Sequence, residues 1–215
     1  MPTPPPTPPT LLGSLEQIVS PGGGFRGHCG ELDARGRVYS GHPRDEELRT
    51  SSVWLAARAR AQGFFGPCGV DAFTYVERTY AERTCAGRAC AESDVDGDRE
   101  HLRPALELNA RATMGLVSLG LVRRALPLVR ERLGLAGEAR RAFLLTLLSE
   151  VHSASTDGDR GGAEAQGRAI ADRAGEGVLR LSLAADDDRE GPWPMLFFGP
   201  DRGRLREAHR AVTGC

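Results

Sequence analysis

In the run Leu106-Glu107-Leu108-Asn109-Ala110-Arg111, apolar and polar residues alternate without a break. A period of two is the spacing of an extended chain, so the run specifies a strand with one packing face and one polar face. Glu107, Asn109 and Arg111 project together, while Leu106, Leu108 and Ala110 project the other way. A second extended run, Val70 to Val76, follows Gly66-Pro67-Cys68-Gly69 and carries Asp71. Carboxylate and amide oxygens two residues apart suit a hard cation such as Mg²⁺, which takes few protein oxygens and keeps positions for phosphate and water. An arginine beyond them can hold phosphate oxygens through a bidentate fork. The same alternation also describes a strand with a solvated face, so the triplet alone leaves both readings open.

Two flanking segments narrow the choice. Phe64-Phe65-Gly66-Pro67-Cys68-Gly69-Val70-Asp71-Ala72-Phe73 precedes, and Leu102-Arg103-Pro104-Ala105 leads through Leu106–Arg111 to Ala112-Thr113-Met114-Gly115. With their neighbouring helices, residues 45–125, they resemble the C-terminal half of the ATP-grasp fold. The resemblance implies an α+β subdomain with a mixed or antiparallel sheet and flanking helices. It implies a ligase that joins a carboxylate to an amine or similar nucleophile through an acyl phosphate, with ATP and Mg²⁺ (or Mn²⁺) as cofactors and a small carboxylate as substrate. In that family an acidic residue on the first strand and the Glu and Asn of the second ligate the Mg²⁺ bound to ATP. By position these are Asp71, Glu107 and Asn109. Arg111 takes the place of the arginine that contacts phosphate or the tetrahedral intermediate, the one catalytic role carried over.

Family members also use an upstream lobe whose lysines hold the nucleotide phosphates. Here 70 residues precede Asp71, the first ten nearly all Pro and Thr, and all 28 basic residues are arginine. Three expectations follow: a truncated remnant, a half-enzyme completed by a partner chain that supplies the nucleotide lobe, or a compact form with other nucleotide contacts. A reading from another class is a non-catalytic accessory or binding protein that keeps an incomplete scaffold. A third is a metal-binding domain with no phosphate partner.

A net charge of −1, from 28 basic and 29 acidic residues, gives no electrostatic case for nucleic acid or an anionic membrane. The longest apolar stretches, Met114–Leu121 and Phe143–Leu148, fall well short of the ~20 residues a membrane span needs. Five cysteines, Cys29, Cys68, Cys85, Cys90 and Cys215, are odd in number and irregular in spacing, which predicts reduced thiols and a cytoplasmic location. Cys85 and Cys90 with His101 make at most half a zinc site or a local disulfide. Asp94-Val95-Asp96-Gly97-Asp98 resembles a calcium loop, but its glycine falls early and its twelfth position is Ala105, so a solvated turn is expected. The histidines His28, His42, His101, His152 and His209 are scattered and read as surface residues.

The expected organisation is a Pro-rich lead over residues 1–13, an ATP-grasp-like subdomain over 14–135, and a helical then α+β unit over 136–215. Leu15–Val19 reads as a strand, Pro21–Gly24 as a loop, and Phe25–Leu32 with Arg37–His42 as a hairpin on which Arg26 and His28 share a face. Asp45–Gln62 reads as a helix with an apolar stripe of Leu48, Val53, Trp54, Leu55 and Ala59. A helix capped by Thr113 is expected to break at Pro127, and Glu138–Val151 to form another amphipathic helix. A loop over Ser153–Gly162, a helix over Ala163–Ala174, strands over Val178–Leu183 and Met195–Phe198, and a helix over Arg204–Val212 complete the reading, with Trp193 and Phe197–Phe198 as core.

Overall fold

Every pairing between named strands is antiparallel, and the central pairing joins segments more than a hundred residues apart. The computed structural model describes residues 8–77, 99–148, 161–183 and 193–214. Its elements are β1 (Glu16–Val19), β2 (Phe25–Asp33), β3 (Val38–Tyr39), α1 (Asp45–Ala61), β4 (Gly69–Glu77), β5 (Arg99–Asn109), α2 (Met114–Arg124), α3 (Leu126–Leu133), β6 (Arg140–Leu148), α4 (Gly161–Ala174), β7 (Leu179–Ser182), β8 (Trp193–Gly199) and α5 (Arg202–Thr213). Most of the Pro-rich lead, the calcium-like loop, Cys85, Cys90, Cys215, His152, the side chain of Trp193 and most of the 153–162 loop lie outside the described residues.

A six-stranded sheet runs β1-β2-β6-β8-β7, with β3 beside β2. β6 takes one edge of β2, so β1 and β3 share the other edge end to end. Strands from both sides of residue 135 therefore lie in one sheet. Along β6, Ala142, Leu144 and Leu148 pack with Ile170 of α4 and Leu205 of α5. Phe143 and Leu145 pack on the opposite face with Leu119 and Val122 of α2 and Val129 of α3. The result is three layers, helix on sheet on helix. The architecture is α+β with an antiparallel sheet and flanking helices.

The helix expected over Glu138–Val151 is corrected by this arrangement, since Arg140–Leu148 is a central strand. Strands buried on both faces read as continuous apolar runs, and a short run of that kind carries no period that separates strand from helix. Close packing across the β2–β6 pair explains Gly27: its φ is +153°, and a Cβ there would fall 1.9 Å from the carbonyl oxygen of Leu145. The β2–β3 turn is closed by Asp33, whose Oδ1 accepts from the backbone N–H of Arg35 and of Arg37, both at 2.9 Å. Pro127 falls in the first turn of α3, where its missing N–H costs nothing, so the expected break divides α2 from α3.

β4 and β5 form a separate two-stranded ribbon. α1 lies along β5, and the N-terminal end of α1 is fastened toward the main sheet. There Ser14 donates to Asp45 Oδ1 at 2.6 Å, Ser40 donates to the same oxygen, and Arg49 donates to the carbonyl of Val38 at 3.1 Å. The expected stripe on α1 is also corrected. Leu48, Leu55 and Ala59 lie on its half-buried face, but Val53 and Trp54 are exposed, Trp54 by 62%. At 100° per residue those two positions fall more than 90° from Leu48. Among the described residues, no helix is long and apolar enough to cross a membrane.

Candidate functional site

The ribbon register sets the polar cluster. Asp71 of β4 lies directly opposite Glu107 of β5, and Gly69 lies opposite Asn109. Directly paired residues share a face, so both carboxylates and the amide project to the same side. Asn109 Nδ2 donates to Asp71 Oδ2 at 2.9 Å. Asp71 and Glu107 are exposed and Asn109 is half-buried. The ladder is irregular just beyond this pair. Phe73 pairs with Arg103, which leaves Pro104, Ala105 and Leu106 facing Ala72 alone. Proline cannot donate to a ladder, and irregularities of this kind bend a strand and re-aim its side chains.

That irregularity corrects two expectations. Leu106 does not join a packing face but stands 67% exposed. Arg111 does not continue the polar row either. β5 ends at Asn109, and the backbone N–H of Arg111 donates to the carbonyl of Asn109 at 2.8 Å in a tight three-residue turn. The Arg111 side chain is exposed and leaves the strand's alternation. Of the four residues read from sequence, the fold brings Asp71, Glu107 and Asn109 to one face and carries Arg111 round a turn, three positions before the start of α2.

Further along the same ribbon face stand Phe73 and Tyr75, 42% and 43% exposed, with ring centroids 5.9 Å apart. Tyr75 stacks on His101 at 5.3 Å. On the main sheet, His28 of β2 lies within electrostatic range of Asp71. Burial pushes the imidazole of His28 down to about 4, and the negative charge of Asp71 opposes that fall. Ser118 spends its hydroxyl proton on the carbonyl of Met114 at 2.9 Å, so its Oγ accepts from His28 Nδ1–H at 2.8 Å. The expectation of a surface histidine is thus corrected at His28 and at His209, which are 6% and 2% exposed. Sequence carries a partial signal for His28, because it lies inside a strand whose neighbours Cys29 and Leu32 are apolar.

Two carboxylates set side by side, with no ion pair to either among the described residues, form a donor set matched to a hard divalent ion. As it stands, Asn109 directs its amide N–H at Asp71; a half-turn of the amide presents its oxygen instead. Among the described residues, no group of three or more His, Cys, Asp or Glu side chains is gathered closely enough to hold a metal ion, so any ion here uses the amide and non-protein ligands. A cavity of about 420 Å³ lies elsewhere, at the start of α5, lined by Glu31, Arg140, Asp201 and Arg202. Its cations are already engaged: Arg140 pairs with Glu31 at 3.0 Å and Arg202 with Glu16 at 2.8 Å. No family model, curated protein or solved structure matches the chain.

Proposed function

We propose that the β4–β5 face is a divalent-cation and phosphate site of the ATP-grasp kind, and that the chain is an ATP- and Mg²⁺-dependent carboxylate ligase, or a truncated remnant of one, with Asp71, Glu107 and Asn109 as the ion's ligands. The observation that carries this reading is the direct opposition of Asp71 and Glu107 on an exposed face, with Asn109 within hydrogen-bond distance. Like charges opposed across a ladder cost stability, and an ion between them offsets that cost. A bound Mg²⁺ (or Mn²⁺) supplies neutralisation of phosphate charge. The chain's own part is positioning: Asp71 and Glu107 fix where the ion sits, and Asn109 sets its amide to suit. Arg111, on the turn that follows, offers a charged fork to the phosphate of ATP or of an activated carboxylate.

A second reading is favoured by the exposure of Phe73, Tyr75 and Leu106 around the cluster. Among the described residues nothing covers that face, and the chain has no lysine to hold nucleotide phosphates. A non-catalytic accessory protein, or a half-site closed by a partner chain, fits that openness. Titration with Mn²⁺ followed by electron paramagnetic resonance tests the site itself. The free-ion signal is expected to fall by one equivalent for the wild-type chain and to stay full for Glu107→Ala. Equal uptake by both chains removes Glu107 from the ligand set.

A further inference from the structure

A helix packed along one side normally turns its charged residues to water; α1 does so with Glu46, Glu47 and Arg58, yet it turns apolar residues outward among them. Its half-buried side carries Arg49 and Arg60, and its outward side carries Thr50, Val53, Trp54, Ala57 and Ala61 between Glu46 and Glu47 at one end and Arg58 toward the other. No residue of α1 is buried. Trp54 is 62% exposed and Val53 36%, an uncommon pair of neighbours to leave in solvent. Thr50, Ala57 and Ala61, at four residues before and three and seven after Trp54, are small and leave room for a second backbone to approach.

The charges on this face are arranged to match themselves. Glu47, Trp54 and Arg58 lie within about 40° of one another around the helix, and Glu47 and Arg58 are separated by about 16 Å along it. A two-fold axis perpendicular to α1, passing near residues 52 and 53, turns a second α1 antiparallel while keeping the same flank in contact. Glu47 then meets Arg58 of the other copy, Arg58 meets its Glu47, and the two Trp54 rings lie side by side between these pairs. The two helix dipoles oppose as well. Arg58 already lies over its own Trp54 ring, 5.5 Å from the centroid, and Glu47 pairs with Arg44 at 2.7 Å, so both charges are held on the outward face. A net charge of −1 gives two copies no long-range repulsion to overcome.

We infer that the outward face of α1 is a self-association surface, on which two copies of this chain pair antiparallel around Trp54. Such a surface is isologous and closes after two copies. Two crossed 17-residue helices make a small interface, so dissociation on the order of micromolar is expected.

Sedimentation equilibrium of the full chain tests this. The wild type is expected to dimerise reversibly, and Trp54→Ala to weaken the dimer about tenfold or more. Glu47→Arg alone places Arg against Arg58, and Arg58→Glu alone places Glu against Glu47, so each variant by itself is expected to be a folded monomer, its fold checked by circular dichroism. Mixed in equal amounts, those two variants restore both opposite-charge pairs and are expected to form a heterodimer. A monomeric wild type at hundreds of micromolar overturns the inference, whether or not another protein covers the face. So does a dimer that both charge reversals leave intact, or a mixture of the two variants that stays monomeric.

Discussion

Asp71 and Glu107, like charges, face each other across the ribbon, and among the described residues Asn109 alone shares the load, by one hydrogen bond to Asp71. A site kept at that cost is one whose stability improves when its function is removed. Asp71→Asn is therefore expected to raise the melting midpoint in the absence of divalent ions by about 1–3 °C, from the size of a relieved cross-strand repulsion. The same variant is expected to lose any upward shift that Mg²⁺ gives the wild type. A midpoint lowered by the substitution contradicts the picture of an unrelieved carboxylate pair. At this scale the sequence carries Asp71, Glu107 and Asn109 correctly to a common face, because period-two alternation and register are backbone properties. It misplaces Leu106 and Arg111, because the irregular ladder at Pro104–Leu106 and the turn at Arg111 depend on how β5 meets β4 and α2.

Each buried histidine joins a helix to the sheet, one on either face. His28 of β2 donates to Ser118 of α2, and His209 of α5 lies 2.8 Å from the Oγ1 of Thr146 on β6. Burial lowers both imidazoles to about 4 from the usual 6.5; the charge of Asp71 opposes the shift at His28, and those of Arg206 and Arg26 add to it at His209. A group whose folded pKa is depressed takes up its proton more readily when unfolded. Stability is therefore whole above pH 6.5 and falls as the pH drops from 6.5 toward 4, by on the order of 3 kcal/mol for each histidine. Urea unfolding across that window is expected to show uptake of close to two protons. His28→Asn, which keeps a donor for Ser118, is expected to remove about half of the slope. A flat profile between pH 6.5 and 4 contradicts the burial of the two rings. The burial of His28 was only partly legible, from the apolar residues of its strand, and that of His209 was not, since a histidine gives no apolar period of its own. Helix α1, the β2–β3 hairpin and the break at Pro127 were legible because first-turn acidic charge, turn chemistry and proline chemistry are local. The strand nature of β6 was not, because it follows from two neighbouring strands, β2 and β8, both distant in sequence.

At the scale of the whole molecule, the sheet with its two helical layers is a closed body, and the ribbon with α1 is an open one. The core residues of β2, β6 and β8 are nearly free of solvent, while Trp54, Phe65, Phe73, Tyr75, Val76 and Leu106 are all exposed. That division matches the proposed roles, a scaffold behind and a working face in front: one ribbon face for an ion and phosphate, and the outward side of α1 for a second copy. The general α+β class could be read from the mixture of period-two and period-3.6 segments, but the sheet order could not, because it rests on pairings that cross the chain. Calorimetric titration of the purified chain with Mg-ATP reports whether the ribbon face takes a metal-bound nucleotide. Heat of binding that requires Mg²⁺ and vanishes in Glu107→Ala is the predicted result; no heat with Mg-ATP, or heat that persists unchanged without the metal, contradicts it.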